Sequence, residues 1–346
     1  MGFRNSIQEK ETTIMKSALR VLRYLILLAT ACPLAMAKAD SATVPLSVGG
    51  QILGLQAICD DCTPQKFATG FQDFLEGPAF GRDGNLYLVG ILNGNIWRVT
   101  PGGQASIYVH LPPEIKLPSG LRFAADGTLY GVAMDGGLFS VDPQSKKITL
   151  VANSVTTGGL PDGAFHGLDD LFIDHEGGIY LTDAAGSSVL NPIGQLFYRA
   201  PSGNIARLIG TGLAFPNGVV LSPDEKTLYI DEWASAEIIA VPVVSPGVIN
   251  TGWSYVFARL NGGHGPDSMT ADADGNIYAA HWGSGEITVF APNGDYYGAI
   301  QLPPGAGSFT SNVAIHDGYL YITEAQQGIV WRVKTKIPGI KTYGGQ

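Results

Sequence analysis

Charged residues make up only 15 % of this 346-residue chain, against about 25 % in an ordinary soluble domain. With apolar residues at 45 %, that scarcity excludes a disordered chain, which needs low hydrophobicity and high net charge. A helix-forming composition is missing too. Coiled coils and helical bundles draw on Ala, Glu, Lys and Leu, and each interior glycine costs a helix about 1 kcal/mol. Glycine lacks the three-residue period of collagen. No apolar run reaches the roughly 20 residues that span a bilayer. What is abundant is glycine itself, 46 residues, about twice its usual share of about 7 %. A turn-rich globular protein of many short strands remains, long enough for one large or two ordinary domains.

Residues 1–37 read as a secretory signal peptide. Met15 is an alternative start to Met1; Lys16, Arg20 and Arg23 form a basic region, Tyr24–Ala29 an apolar stretch, and Ala35-Met36-Ala37 an A-x-A cleavage site. A lipoprotein anchor at Cys32 is the alternative, with Ala29 where leucine is usual. The expectation is an exported protein, periplasmic or secreted, with no membrane insertion after cleavage. The segment carries five basic and two acidic residues, so the remainder of the chain has 16 against 28 and a net charge of −12. Such acidity argues against nucleic acid and anionic membranes as partners and is compatible with cation binding. Past the segment only Cys59 and Cys62 remain, spaced Cys59-Asp60-Asp61-Cys62. In an oxidising compartment they read as a local disulfide. A redox pair, which would want a helix after it, a zinc site and free thiols are the other readings.

A repeat fills the rest. Six segments share a small or polar residue, an apolar strand, a D-G type turn and a second strand containing Tyr. They begin at Glu76, Ser119, Asp169, Asn217, Asp267 and Ser311, spaced 43, 50, 48, 50 and 44 residues, and they align Tyr87, Tyr130, Tyr180, Tyr229, Tyr278 and Tyr321. D-G and N-G pairs between apolar runs mark hairpins. A third strand often follows, as in Asn95–Val99 and Glu286–Phe290. Four short antiparallel strands per period of about 45 residues are the signature of a propeller blade. The reading is an all-β, six-bladed β-propeller over residues 65–346, preceded by an N-terminal extension at 38–64. Gln65–Phe74 is expected to supply the outer strand of the last blade. A β-sandwich with fortuitous turn spacing is the alternative.

Equivalent positions of successive blades are related by rotation about the central channel, and the residue leading into each innermost strand faces its mouth. At that phase stand Glu76, Asp169, Asn217 and Asp267, four oxygen donors, with Ser119 and Ser311 between them. Like charges crowded on one axis resist ionisation unless a cation neutralises them. An all-oxygen set suits a hard ion such as Ca²⁺ and disfavours zinc and copper. Asp170 breaks the pattern, because glycine or a small residue holds its place in blades 1, 2, 4 and 5, and it is a candidate pocket residue, read as a support of the site or a partner of the adjacent loop. Loops on the same face carry Asn93, Asp135, Asp183, Asp231-Glu232-Trp233, His281-Trp282 and Glu324; the linkers into blades 3 and 5 carry His166 and His264. Trp233, Trp282 and His166 are candidate pocket walls. His264 and His281 are candidates for general acid or base; wall packing is the plainer reading of each.

The segments Glu76-Gly-Pro, Asp169-Asp-Leu, Pro216-Asn217-Gly218 with Leu221-Ser-Pro-Asp-Glu-Lys226, and Pro266-Asp267-Ser268 resemble the senescence-marker-protein/gluconolactonase/luciferin-regenerating-enzyme superfamily, and within it the drug-responsive lactonase branch. The resemblance implies a six-bladed propeller with a catalytic divalent cation, usually Ca²⁺, held by Glu76, Asn217 and Asp267, with Asp169 added in the branch. Another ion such as Mg²⁺, Mn²⁺ or Zn²⁺ is the alternative. It further implies hydrolysis of a small-molecule lactone, with Asp267 placed both to bind metal and to activate water. Arg122, inside a strand, is a poor match for the arginine that holds sugar hydroxyls, so sugar lactones are less secure than lactones in general. A phosphotriesterase-like hydrolase on the same site and a non-catalytic ligand- or protein-binding propeller are the rival readings. The sequence implies no oligomeric state.

Overall fold

The computed structural model describes residues 47–48, 51–52, 54–153, 165–262 and 264–342; the signal segment, with Cys32, lies outside the described residues. Each repeat folds as one antiparallel sheet whose strands run outward in chain order. Blade 1 comprises Leu75–Phe80, Leu86–Gly90, Asn95–Val99 and Ala105–His110, and blade 2 Lys116–Phe123, Leu129–Asp135, Gly137–Val141 and Ile148–Ala152. Blade 3 comprises Leu168–Ile173, Ile179–Asp183, Gly194–Arg199 and Ile205–Leu213. In blade 4, Pro216–Leu221, Thr227–Glu232 and Glu237–Ser245 are followed by Tyr255–Arg259, and a short strand, Val248–Ile249, adds to the end of the third. Blade 5 comprises Pro266–Ala271, Ile277–His281, Glu286–Phe290 and Tyr296–Gln301. Blade 6 takes Thr310–His316, Tyr319–Glu324 and Ile329–Lys334 from the C-terminal part and Gln65–Ala68 from the N-terminal part.

The six-bladed propeller is therefore the observed fold. The strand that closes the ring is shorter than expected: it pairs with Ile329–Lys334 over Gln65–Ala68 only. Before it lie the paired strands Ser47–Val48 and Gln51–Ile52 and one helical turn, Leu55–Ile58. Cys59 and Cys62 are joined in a disulfide. The helix precedes the pair instead of following it, which removes the setting a redox pair needs. Lys336 ties this corner to the C-terminal segment, its amide donating to Ile58 O (2.7 Å) and its ammonium to Gln56 O (2.6 Å).

Local chemistry explains the hairpins. Asp83, Asp126 and Asp272 each accept the amide two residues on, an Asx turn that bends the chain. The aligned tyrosines fill the space between blades: Tyr180 and Tyr278 are fully buried, and the Tyr87 and Tyr278 hydroxyls donate to the turn aspartates Asp83 and Asp272. The sheets pack face to face, so that Tyr180 and Leu196 of blade 3 share one core with Val219 and Ile230 of blade 4. Each fully buried side chain of this size contributes roughly 1.5–3 kcal/mol.

All six innermost strands carry one extra residue against their neighbour, at the same place. The register slips between Glu76 and Ala79, Pro118 and Leu121, Leu168 and Leu171, Pro216 and Val219, Pro266 and Met269, and Thr310 and Asn312. Such bulges re-aim side chains and leave one amide outside the ladder. At Gly77 the bulge takes a left-handed φ of 56°, and a Cβ there would lie 2.5 Å from Ser119 O of blade 2. Gly77→Ala should therefore destabilise the protein by about 1–3 kcal/mol in urea titration. Gly84→Ala, left-handed as well but with nothing within 4 Å of the new Cβ, isolates the backbone cost; equal losses in the two variants would show that the inter-blade contact is unimportant.

Candidate functional site

The bulges bring the predicted oxygen donors to one end of the channel. Glu76, Asp169 and Asn217 are buried, while Asp267 keeps partial exposure at the mouth. Asn217 Nδ2 donates to Asp267 Oδ1 at 2.6 Å, a bond that does not engage the amide oxygen. Glu76 Oε2 accepts the Gly77 amide (2.9 Å) and Asn312 Nδ2 (3.0 Å). Asp169 Oδ2 is buried with no hydrogen-bond partner. The two serines at this phase do other work: Ser119 Oγ donates to Leu168 O of the next blade and Ser311 Oγ to Leu75 O, stitching blade to blade.

Burial pushes the Glu76 carboxyl up to about 8 and holds Asp169 and Asp267 well above the ordinary carboxylate range. Mutual repulsion adds to it, Glu76 and Asp169 both acting on Asp267. Asp170 is also raised by burial but relieved by the charge of Arg122; its Oδ1 accepts the Leu171 amide and its Oδ2 the Ser268 hydroxyl (2.7 Å). Among the described residues no three His, Cys, Asp or Glu side chains stand close enough to form a ligand set by themselves. A cation here would draw on the Asn217 amide and on water or substrate as well.

A second ring of polar side chains, at the ends of the second strands, anchors backbone. Asp183 accepts the amides of His166 (2.9 Å) and Gly167 (2.6 Å); Glu232 accepts Ala214 N; Glu324 accepts Gln326 N and Gln327 N. In blade 1 the corresponding residue is Gly90, and Asp73 fills its space from the linker, accepting Phe74 N and Leu92 N. His281 belongs to this ring. It is buried, with Nε2 2.6 Å from Gly262 O and 3.0 Å from His264 O, and Nδ1 3.1 Å from Glu286. Both ring nitrogens are engaged inside the protein, which favours the wall reading of His281, holding the carbonyls of Gly262 and His264, over an acid or base role.

The other expected pocket residues lie in ring and amide contacts of their own. His264 is exposed and stacks on Trp233 (5.2 Å, 14°), which also packs against Phe215; burial lowers the His264 pKa, with His281 adding to it. Trp282 is sandwiched between Phe74 and Phe309. The half-exposed His166 ring lies against the Gln195 amide, whose Nε2 donates to Asp183. Asn312 has no local sequence signal, and Asp231, one of the polar residues expected on the loops of this face, is fully buried, with its carboxyl well above the usual range from burial first and its Oδ2 unpartnered. At the opposite end of the channel a cavity of about 50 Å³, lined among others by Arg122, Phe80 and His316, has room for a few waters only. Arg122 thus stands away from the mouth.

The raised carboxyls make stability fall as pH rises. Protonated, they suit their desolvated surroundings; the unfolded chain ionises near 4.5 but folded Glu76 only near 8. In chelator, the melting temperature should drop progressively across that window, and Glu76→Gln should flatten the drop. A chelated wild type whose melting temperature is flat or rising there would contradict the burial of uncompensated carboxyls.

The SMP-30/Gluconolactonase/LRE-like region matches residues 74–326. The lactonase drp35 of Staphylococcus epidermidis is 28 % identical over 235 residues, which cover 66 % of this chain and 70 % of that protein. Two solved structures share the fold. Regucalcin of Agrobacterium tumefaciens, described as calcium-binding, superposes with a TM-score of 0.64 at 21 % identity over 84 % of this chain and 96 % of that one. A gluconolactonase of Xanthomonas campestris gives 0.63 at 20 % identity over 78 % and 88 %.

Proposed function

This chain belongs to the SMP-30/gluconolactonase/LRE-like family, and on that premise we propose that it is a metal-dependent hydrolase that opens the ring of a small-molecule lactone. The observation that carries the reading is the unpartnered, buried Asp169 Oδ2, on a carboxyl that Glu76 repels and that in turn repels Asp267. An uncompensated carboxylate oxygen in a desolvated ring of carboxylates is a cation site in chemical terms. The names of the lactonase and regucalcin relatives agree with it.

Glu76, Asp169, Asn217 and Asp267 would hold the ion, for which Ca²⁺ fits the all-oxygen set best. When bound, such a cation polarises the lactone carbonyl and stabilises negative charge on its oxygen. Asp267, the most exposed of the three carboxylates, takes a proton from the attacking water, and Asn217 orients it through the 2.6 Å bond. The water oxygen bonds to the carbonyl carbon, the ring C–O bond breaks, and the leaving oxygen receives a proton, giving the open hydroxy acid. His264, neutral because its pKa is lowered, stands at the mouth to pass that proton. Trp233 and Trp282, each in its aromatic stack, wall the pocket with apolar surface. Asp170 braces the ring through Ser268.

Asp267→Asn should abolish lactone hydrolysis, by at least about 10²-fold in kcat as for loss of a general base, with the fold intact by circular dichroism. Chelation should do the same, reversed by Ca²⁺. Activity that survives both treatments would defeat the reading. An organophosphate panel run alongside separates phosphotriester from lactone hydrolysis. We further place the protein outside the cytoplasm on the strength of its N-terminal segment; mass spectrometry of the exported protein should find a chain beginning at Lys38, and a chain retaining residues 16–37 would refute it.

A further inference from the structure

Three of the amides that the bulges leave outside the ladder are taken up in one way. In blade 3 the Asp170 amide donates to Thr182 Oγ1, in blade 4 the Gly218 amide to Asp231 Oδ1, and in blade 6 the Asn312 amide to Thr323 Oγ1, each at 2.9 Å. The three acceptors hold equivalent places on their second strands. Two are neutral hydroxyls, so holding the amide does not require charge. Of these three, blade 4 alone uses a carboxylate, completely buried, whose second oxygen has no partner.

The position of that second oxygen is informative. A Cβ on Gly218 would stand 2.5 Å from Asp231 Oδ2, 2.8 Å from Ser268 Cα and 2.9 Å from Met269 N. The carboxylate therefore reaches through the space that glycine leaves open, into the seam between blades 4 and 5. That seam carries Asn217 on one side and Asp267 on the other. Threonine could hold the bulge but could not put a negative charge there. An unpaired buried charge is costly unless something opposes it.

We propose that Asp231 is a positioning residue for the Asn217–Asp267 half of the site. One oxygen fixes the bulge that presents Asn217. The other contributes negative charge behind the two side chains, which strengthens cation binding without touching the ion. This rests on the reading of the mouth as a cation site and goes beyond it, because it assigns a cause of affinity to a residue outside the ligand set.

The test uses three variants of the full chain titrated with Ca²⁺ by calorimetry. Asp231→Thr and Asp231→Asn keep an acceptor for the Gly218 amide and remove the charge; Asp231→Val removes both. Loss of the charge should weaken Ca²⁺ binding by about 10-fold or more, the range seen when outer partners of metal ligands are lost. The chelated Asp231→Thr protein should keep its circular dichroism and cooperative melting. Asp231→Val should bind Ca²⁺ no better than Asp231→Thr and should melt lower. Wild-type affinity in Asp231→Thr and Asp231→Asn, with a loss confined to Asp231→Val, would show that Asp231 only holds the bulge and would overturn the proposal. A wild type that binds neither Ca²⁺, Mg²⁺ nor Mn²⁺ would instead overturn the cation reading beneath it.

Discussion

One extra residue in each of six innermost strands is the constraint on which the site depends. A regular strand sends successive side chains to opposite faces. The bulge suspends that rule for one step, and the slip occurs at the same place in every blade. Asp169 and Asp170, adjacent in sequence, are consequently both buried by the channel and repel one another. The bulge also creates an obligation, an amide without a strand partner, met by Glu76 itself in blade 1 and by Thr182, Asp231 and Thr323 elsewhere. Ligand candidates and their supports thus arise from one backbone irregularity.

The second constraint is desolvation. Few charges are available in this chain, and several of its carboxyls are buried around one channel mouth. Two sorts of buried carboxyl result. Asp183, Glu232 and Glu324 have their charge met by backbone amides and serve as loop anchors. Asp73, Asp169 and Asp231 each retain an oxygen with no partner. The difference lies in hydrogen bonding, not in residue type or depth.

Sequence reading reached its limit at the same point. The blade count, the closing strand from Gln65 onward and the phase that gathers Glu76, Asp169, Asn217 and Asp267 came from a repeat whose period and turns are local properties. Asp183, Asp231, Glu232 and His281 looked alike, as polar residues on loops of one face. The sequence leaves His281 open between acid or base and wall residue, because nothing in its neighbours reveals that the carbonyls of Gly262 and His264 and the carboxylate of Glu286 converge on its ring. The pairing of Asn312 with Glu76 spans 236 positions, beyond any local pattern.

By itself, then, the sequence determined the propeller and the phase of its oxygen donors, since turn chemistry and alternation act over a few residues and repeat six times. Only the tertiary structure decided which donors remain unpaired, which histidine is locked into a wall, and which carboxylate reaches through a glycine toward the neighbouring blade. The contacts between blades join segments about 50 or more residues apart, and those that lock His281, though only 5 to 19 positions away, need the folded sheet to bring them onto one ring.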